Sequence, residues 1–306
     1  MSGLSLECRN CGAALVAGAG QRSARCPYCA SPSVIERPPS ADRPPPAFVV
    51  GFVVTPERAL ELARAWLERP LFAPGAFRRA APHEITGLYA PVYLYSAATS
   101  TSYSASIGED YTVTETYTTT DSQGRTVTRT RSRVETEWRE LRGELALYVN
   151  DRVVTASRGI PNHELEGIEP YDLRALRRYR ADVVSGWAAE EPSLTIEECV
   201  GLARREAEAA VGVRLAQFLP GDRHGEVTWR TGMAHEDLAL TLLPIWVLPV
   251  RYAPDQPVVR LLVNGQTGRI YGKAPVSVLR VIVAVLLVLG VLAGAAAAIW
   301  LLGEYS

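Results

Sequence analysis

Two stretches of the chain place apolar residues at helical spacing. The first follows Thr55 and Pro56 and ends at Pro70, and a threonine cap followed by proline is a common helix start. Its apolar face would consist of Ala59, Leu60, Leu62, Ala63, Trp66 and Leu67. The second opens at residues 195–198 (TIEE), a capping box, and continues as IEECVGLARREAEAAVG. The pattern predicts one amphipathic helix in each half of the chain.

An apolar strand and a hairpin follow each of these helices. Residues 88–95 (LYAPVYLY) form the first strand and residues 243–248 (LPIWVL) the second, which is followed by the turn residues Asn264 and Gly265. This order predicts an α+β body at residues 48–275, built of two helix-plus-antiparallel-sheet units. A duplication would explain the order, and chance recurrence of the periodicity is the alternative.

Residues 103–140 show a two-residue period instead. Threonine occupies every even position from 112 to 120, and a turn-like DSQG at 121–124 precedes a second alternating arm. Alternation around a turn predicts a β-hairpin, in which Glu115 would face Arg129. Both faces are too polar for a core, so we expect a protruding ribbon or sheet edge, with a flexible loop as the alternative. The arginines that would pair with the acidic arm, or alternatively bind phosphate, are Arg125, Arg129, Arg131 and Arg133.

The longest apolar run, at residues 281–302, contains 22 residues and no charge. At about 1.5 Å per residue such a helix is about 33 Å long, enough to cross a hydrocarbon core about 30 Å thick. We therefore predict a single transmembrane helix within residues 276–303. A buried core helix is the alternative.

Charged residues on either side of this run predict its orientation. Arg260, Arg269, Lys273 and Arg280 precede it, whereas Glu304 follows it. Lys and Arg beside a spanning helix stay in the cytoplasm. We therefore expect a tail-anchored, single-pass protein of the inner (cytoplasmic) membrane with its N-terminus in the cytoplasm.

The apolar run also contains a helix-packing motif. Gly290 and Gly294 form GxxxG, which Ala298 extends. Small residues one turn apart let two helices approach closely, so the motif predicts a homodimer or another packing partner in the membrane. In a span this rich in glycine and alanine, the same spacing also arises by chance.

Four of the five cysteines form two CxxC pairs, Cys8 with Cys11 and Cys26 with Cys29. Two such turns aim four thiolates at one point, which predicts a zinc ribbon over residues 1–30 with a structural Zn²⁺. Protein sulfur would fill all four positions, so the metal would support folding and not catalysis. Iron binding, redox activity and disulfides are the alternatives, of which a cytoplasmic location disfavours the last.

The segment after the cysteines is rich in proline. Residues 31–47 contain six prolines and predict a semi-extended linker. We therefore expect the ribbon to lie on a tether and to be free to reach a partner.

Charge and motif content narrow the classes of function. With 32 basic and 33 acidic residues the net charge is −1, which gives no general attraction to polyanions. The four histidines lack metal-binding spacing, and no P-loop or GxSxG motif is present, so we predict a protein without enzymatic activity; an unrecognised active site is the alternative. A basic run at 174–180 (RALRRYR) predicts an exposed helix face or, alternatively, a contact with anionic lipid headgroups.

The C-terminal part resembles that of a bacterial family of zinc-ribbon membrane proteins. The matching segments are LPIWV at 243–247, Arg251 with Tyr252, VNGQTG at 263–268 and PVS at 275–277, together with the N-terminal CxxC pairs. Members are known as TFIIB-type zinc-ribbon proteins or as primosomal helicase-like proteins, although this chain has no motor motif. The resemblance implies an adaptor at the inner membrane, in envelope-stress systems of the phage-shock A type.

These expectations combine into one functional hypothesis and one alternative. The hypothesis is an adaptor or scaffold that presents the ribbon and the β-rich body to protein partners at the cytoplasmic face of the membrane. The alternative is a membrane-tethered nucleic-acid-binding protein that uses Arg9, Arg22 and Arg25 of the ribbon. The small excess of basic residues there makes nucleic acid the less favoured partner.

Overall fold

The computed structural model describes residues 4–8, 11–17, 28, 34–36, 45–82, 84–120, 124–180, 183–184 and 187–304. The fold is α+β with one apolar C-terminal helix, as the sequence predicts. The sheet is large and mixed, with two parallel strand pairs, whereas the sequence predicts antiparallel sheets alone. The chain forms two compact units. Unit 1 comprises Met1–Tyr93, Val154–Cys199 and Ala239–Ser306, and unit 2 comprises Leu94–Val153 and Val200–Leu238.

The described helices and strands follow one another along the chain in a mixed order. The helices are α1 (Pro56–Glu68), α2 (Gly75–Arg78), α3 (Asn162–Ile168), α4 (Ile196–Phe218) and α5 (Val278–Glu304). The strands are β1 (Leu4–Cys8), β2 (Ala14–Ala17), β3 (Val34–Glu36), β4 (Phe48–Val49), β5 (Thr86–Thr120), β6 (Thr126–Thr155), β7 (Arg177–Arg178), β8 (Ala188–Glu190), β9 (Arg223–Val250), β10 (Val259–Asn264) and β11 (Ile270–Gly272).

Helix α1 forms as the sequence predicts and covers one end of the sheet in unit 1. The Thr55 side chain caps it by accepting a hydrogen bond from the Arg58 amide, and Pro56 occupies its first turn. Ala59, Ala63 and Leu67 are fully buried at the i, i+4, i+8 spacing of one helix face. These three side chains pack on Trp246, Leu248 and Val250 of β9 and on Leu261 and Val263 of β10.

The turn after β10 also holds the start of α1. The Gly265 carbonyl accepts hydrogen bonds from the amides of Val53 and Val54, both at 2.8 Å, and the Gly265 amide donates to the Pro244 carbonyl at 2.8 Å. A Cβ at Gly265 would lie 2.7 Å from the Phe52 ring, so only glycine allows this approach. The VNGQTG segment is therefore a structural turn that joins β9, β10 and α1.

The first half of the chain repeats this arrangement for α4. The Ala156 carbonyl, just after β6, accepts from the amides of Ser193 at 2.8 Å and Leu194 at 3.0 Å. The Ala156 amide donates to the Pro91 carbonyl of β5 at 3.1 Å. The start of α1, in the first half of the chain, is thus bound to the end of β10 in the second half. The start of α4, in the second half, is bound to the end of β6 in the first half.

The capping and burial of α4 also match those of α1. Thr195 and Glu198 form the predicted capping box, with the Glu198 amide donating to the Thr195 side chain at 3.2 Å and the Thr195 amide to the Glu198 carboxylate at 2.8 Å. Counted from the capping threonines, the buried positions of the two helices coincide. They are Ala59, Ala63 and Leu67 in α1, and Cys199, Ala203 and Ala207 in α4.

Unit 2 contains the outer parts of β5, β6 and β9 and most of α4. Strand β5 is hydrogen-bonded to both β6 and β9. Leu215 of α4 and Leu219 pack on Ala105, Ile107 and Leu145, which makes a small core on one face of the strands. Towards the hairpin turn both faces become exposed, as expected for strands without apolar partners.

The hairpin of β5 and β6 has a register different from the predicted one. Thr114 bonds Ser132 at 3.4 Å and Tyr111 donates to Glu135 at 2.9 Å, a register that puts Glu115 opposite Arg131 and not Arg129. Glu115 forms its ion pair diagonally, with Arg133 at 3.2 Å. The shift relative to the predicted register is two residues. A two-residue shift keeps every side chain on its predicted face.

Two further expectations require correction. Residues 174–180 do not form the predicted helix face: a short 3-10 turn (Leu173–Ala175) leads into β7, which pairs with β4. The N-terminal segment is also not free on its tether. Strand β2 pairs with β8, with Leu15 opposite Glu190, so within unit 1 the segment extends the sheet.

Candidate metal centre and membrane helix

The first CxxC pair forms a tight turn between β1 and β2. The Gly12 amide donates to the Cys8 carbonyl at 2.8 Å, and the Cys8 amide donates to the Ala13 carbonyl at 2.9 Å. Gly12 has a φ of 73°, in the left-handed region that side chains other than glycine rarely adopt. Cys8 is buried and Cys11 is half-buried. Cys8 and Cys11 therefore lie close together in the chain on either side of the start of this turn.

The second pair, Cys26 and Cys29, lies outside the described residues. Within the described ranges, no group of three or more His, Cys, Asp or Glu side chains is placed to hold a metal ion. His83 also lies outside them.

Tyr28, between those two cysteines, contacts the body of unit 1. Its ring is buried, and its hydroxyl donates to the Glu190 carboxylate, which also accepts from the Ser157 hydroxyl at 2.6 Å. Glu190 is itself buried at the end of β8. A Cβ at Gly159 would lie 2.8 Å from the Tyr28 ring, so a glycine there lets the ring approach. Sequence patterns gave no sign of Glu190, whose short strand has no distinctive motif.

Arg260 completes this contact and is not available as a membrane-flanking charge. Its guanidinium donates to the Gly159 carbonyl at 2.6 Å and to the Glu164 carboxylate, and it lies 5.6 Å from the centre of the Tyr28 ring. Its side chain is only 17% exposed. Arg260 therefore belongs to the interior of unit 1 and does not count among the charges that flank the apolar run.

A separate polar cluster occurs in unit 2. Arg204 binds the Glu236 carboxylate through Nε at 2.8 Å and Nη2 at 2.7 Å, and the buried Tyr95 hydroxyl donates to the same carboxylate at 2.7 Å. The hydrogen bonds from Arg204 and then Tyr95 lower the pKa of Glu236 to about 2. Burial, followed by the hydrogen bond to Glu236, raises the pKa of Tyr95 to about 12. At neutral pH Glu236 is therefore ionised and Tyr95 is neutral, and such fixed charge states are typical of a structural cluster.

The face of unit 2 opposite α4 is uncovered by any described residue and carries two aromatic side chains. Trp138 is 50% exposed and lies against Gly108, on the side opposite Ile107. Tyr148 is 66% exposed and alternates with Leu147, which faces α4. We call this surface the open face.

Helix α5 is not buried along its apolar length. Val278–Ala296 is long and apolar enough to cross a membrane, and none of this stretch is buried. A buried core helix is therefore excluded for it. Gly290 and Gly294 lie on this helix with open space around them. Ala298 lies in the same helix, and its side chain is outside the described part.

Comparison with known proteins gives one informative match. Over 236 residues the chain is 24% identical to YdjG of Bacillus subtilis (strain 168), a protein described as uncharacterized. The match covers 76% of this chain and 64% of the relative, so the chain spans less than two thirds of that protein's length. No protein-family model and no solved structure matches the chain.

The Glu236 cluster predicts a specific pH dependence of stability. Because the folded-state pKa lies near 2 and the ordinary value is 4.5, the ionised carboxylate stabilises unit 2 above pH 4.5, and this stability is lost as the pH falls towards 2. Glu236→Gln should lower the free energy of unfolding at pH 7 by about 1–2 kcal/mol, since solvent screens the half-exposed Arg204.

Chemical unfolding of both proteins between pH 7 and pH 2 checks this. The difference in the free energy of unfolding between the unchanged protein and Glu236→Gln should become smaller below pH 4.5. Glu140→Gln, at an exposed ion pair with Arg142, is the matched control and should change stability by less than about 0.5 kcal/mol. A constant difference across the range would contradict the assignment.

Proposed function

We propose that the protein is a membrane-anchored adaptor without enzymatic activity, which presents its N-terminal segment and β-rich body to protein partners at the membrane surface. The observation that carries the proposal is helix α5, whose apolar side chains are not buried along Val278–Ala296. Such a surface is stable only in lipid or against another apolar helix. The preceding residues would then work beside the bilayer.

The proposed orientation places the N-terminal body in the cytoplasm. Arg269, Lys273 and Arg280 still precede the apolar run at 281–302 after Arg260 is removed from the count, and Glu304 follows the run. This charge difference favours a single-pass inner-membrane protein with a cytoplasmic N-terminus. Pairing of two α5 helices through Gly290, Gly294 and Ala298 would give a homodimer.

The open face of unit 2 is the proposed contact surface for proteins. Trp138 and Tyr148 offer apolar area with a polar edge, the residue types that are enriched at protein interfaces. On this face Arg142 is paired with Glu140 and Arg223 with Asp110. A surface with little unpaired charge suits a protein partner better than nucleic acid.

We also propose that Cys8, Cys11, Cys26 and Cys29 hold a structural Zn²⁺. The described half of the site fits a metal thiolate, because the Gly12 turn is formed and Cys8 is buried. The metal would then stabilise the fold of the N-terminal segment, and the contacts of Tyr28 with Glu190 and Arg260 would attach this segment to the sheet. The similarity to zinc-ribbon membrane proteins of envelope-stress systems supports the same interpretation.

The body is proposed to have arisen by duplication. Two helices with the same buried positions each bind the strand end of the other half through one carbonyl, that of Gly265 or that of Ala156. Chance periodicity in the sequence does not account for equivalent hydrogen bonds.

The zinc proposal predicts a defined metal content. Full-length protein purified without added metal should contain one Zn²⁺ per chain by elemental analysis, and Cys11→Ser should lose it, because a missing thiolate opens the site. Amide hydrogen exchange in residues 4–17 should then rise, since metal binding and folding are coupled.

Cys199→Ala is the matched control, because Cys199 is buried in α4 and lies outside both CxxC pairs. This variant should keep the full zinc content. Iron in place of zinc, or equal metal loss in both variants, would show that the proposal is wrong.

The adaptor proposal predicts that a partner contacts the open face. A photoreactive phenylalanine analogue at position 138 or 148 should give a cross-linked adduct of one defined mass in intact cells. Phe218 is the matched control position, since it is aromatic, 54% exposed and on the α4 side of the same unit. Equal adducts at 218, or none at 138 and 148, would contradict the proposal.

A further inference from the structure

A cavity of about 300 Å³ in unit 1 adjoins the first turn of α5. It is lined by Glu68, Gly75, Arg78, Arg79 and Arg280. A Cβ placed on Gly75 would lie 3.2 Å from Nη1 of Arg79 and 3.3 Å from Nη2 of Arg280, so the two guanidinium groups approach one common point. The volume is at the lower end of the range of small-ligand sites, about 300–1,000 Å³.

The three arginines of this cavity have no carboxylate partner among the described residues. Arg78 donates through Nε to the Glu68 backbone carbonyl at 3.1 Å, and Arg280 donates through Nη1 to the Leu71 carbonyl at 3.2 Å. These bonds position the side chains and leave their charge uncompensated. With three cations and one anion in its lining, the cavity is arranged for a negatively charged ligand.

Apolar side chains beside the cavity indicate what kind of anion fits. Leu71 is 74% exposed and Phe72 is 45% exposed, in the loop between α1 and α2. The Ser277 amide donates to the Phe72 carbonyl at 2.8 Å, which ties this loop to the start of α5. Neither residue lines the cavity itself, so a ligand that fills the cavity and extends to this loop would contact cationic and apolar groups together.

We propose that this cavity binds the phosphodiester headgroup of an anionic phospholipid, with Arg79 and Arg280 holding the phosphate and Leu71 and Phe72 contacting the upper acyl chain. The inference rests on the proposed membrane anchor, because α5 places Arg280 at the bilayer surface. It is distinct from the basic run at 174–180, where Arg174 is paired with Asp172 and Arg177 and Arg178 belong to β7.

Native mass spectrometry of the full-length protein tests the site. In mild detergent, the protein should retain phosphatidylglycerol over phosphatidylcholine of the same acyl chains. Arg79→Gln combined with Arg280→Gln should weaken retention of phosphatidylglycerol by about fivefold for each arginine removed. Arg177→Gln combined with Arg178→Gln removes the same charge elsewhere and should leave retention unchanged. Leu71→Asn combined with Phe72→Asn should also weaken retention while keeping every arginine.

Each other outcome overturns a defined part of the account. Equal loss in the Arg177 and Arg178 control would show that net charge, and not this cavity, binds the lipid. Displacement of the lipid by an equal concentration of inorganic phosphate would identify a site for free phosphate. Extraction of the protein from membranes by alkaline carbonate would refute the anchor itself. If the variant with Arg79→Gln and Arg280→Gln resists this extraction but retains lipid as the unchanged protein does, only the lipid site is refuted.

Discussion

The apolar surface of α5 is the constraint from which the organisation of this protein follows. None of the nineteen residues Val278–Ala296 is buried, so the free energy of the folded chain depends on an apolar environment that the rest of the chain does not supply. The loop that carries Leu71 and Phe72 is joined to the first turn of α5 through Ser277 and Arg280. Unit 1 is therefore attached to the helix by specific hydrogen bonds as well as by chain connectivity.

Within unit 1, backbone carbonyls at two strand ends hold the body together. Gly265 and Ala156 each accept hydrogen bonds from two amides at the start of a helix, so α1 is bound to the end of β10 and α4 to the end of β6 in equivalent ways. Burial of Ala59 and of Cys199 close to these points leaves little room for larger side chains. Because the buried side chains at these positions are small, both helices can lie close to the sheet.

Sequence reasoning succeeded where one local signal determined the structure. The Thr55 and Thr195 caps and the apolar length of α5 each rest on neighbouring residues, and the structure contains all of them. It failed where distant residues decide the outcome. The position of Glu115 depends on the pairing of two long strands, and β7 forms because β4 is available as a partner. Arg260 is bound by Glu164 and Tyr28. The cavity beside α5 combines residues of α1, α2 and α5, which no local pattern relates.

The most direct test of the account is hydrophobic photolabelling of the native protein in its membrane. A carbene-generating reagent that partitions into hydrocarbon should modify residues within 281–302, and mass spectrometry of peptides would locate the label. The account predicts strong labelling of this segment and none on α4, whose apolar face is buried in protein. Equal labelling of α4 and α5, or no label on α5, would contradict it.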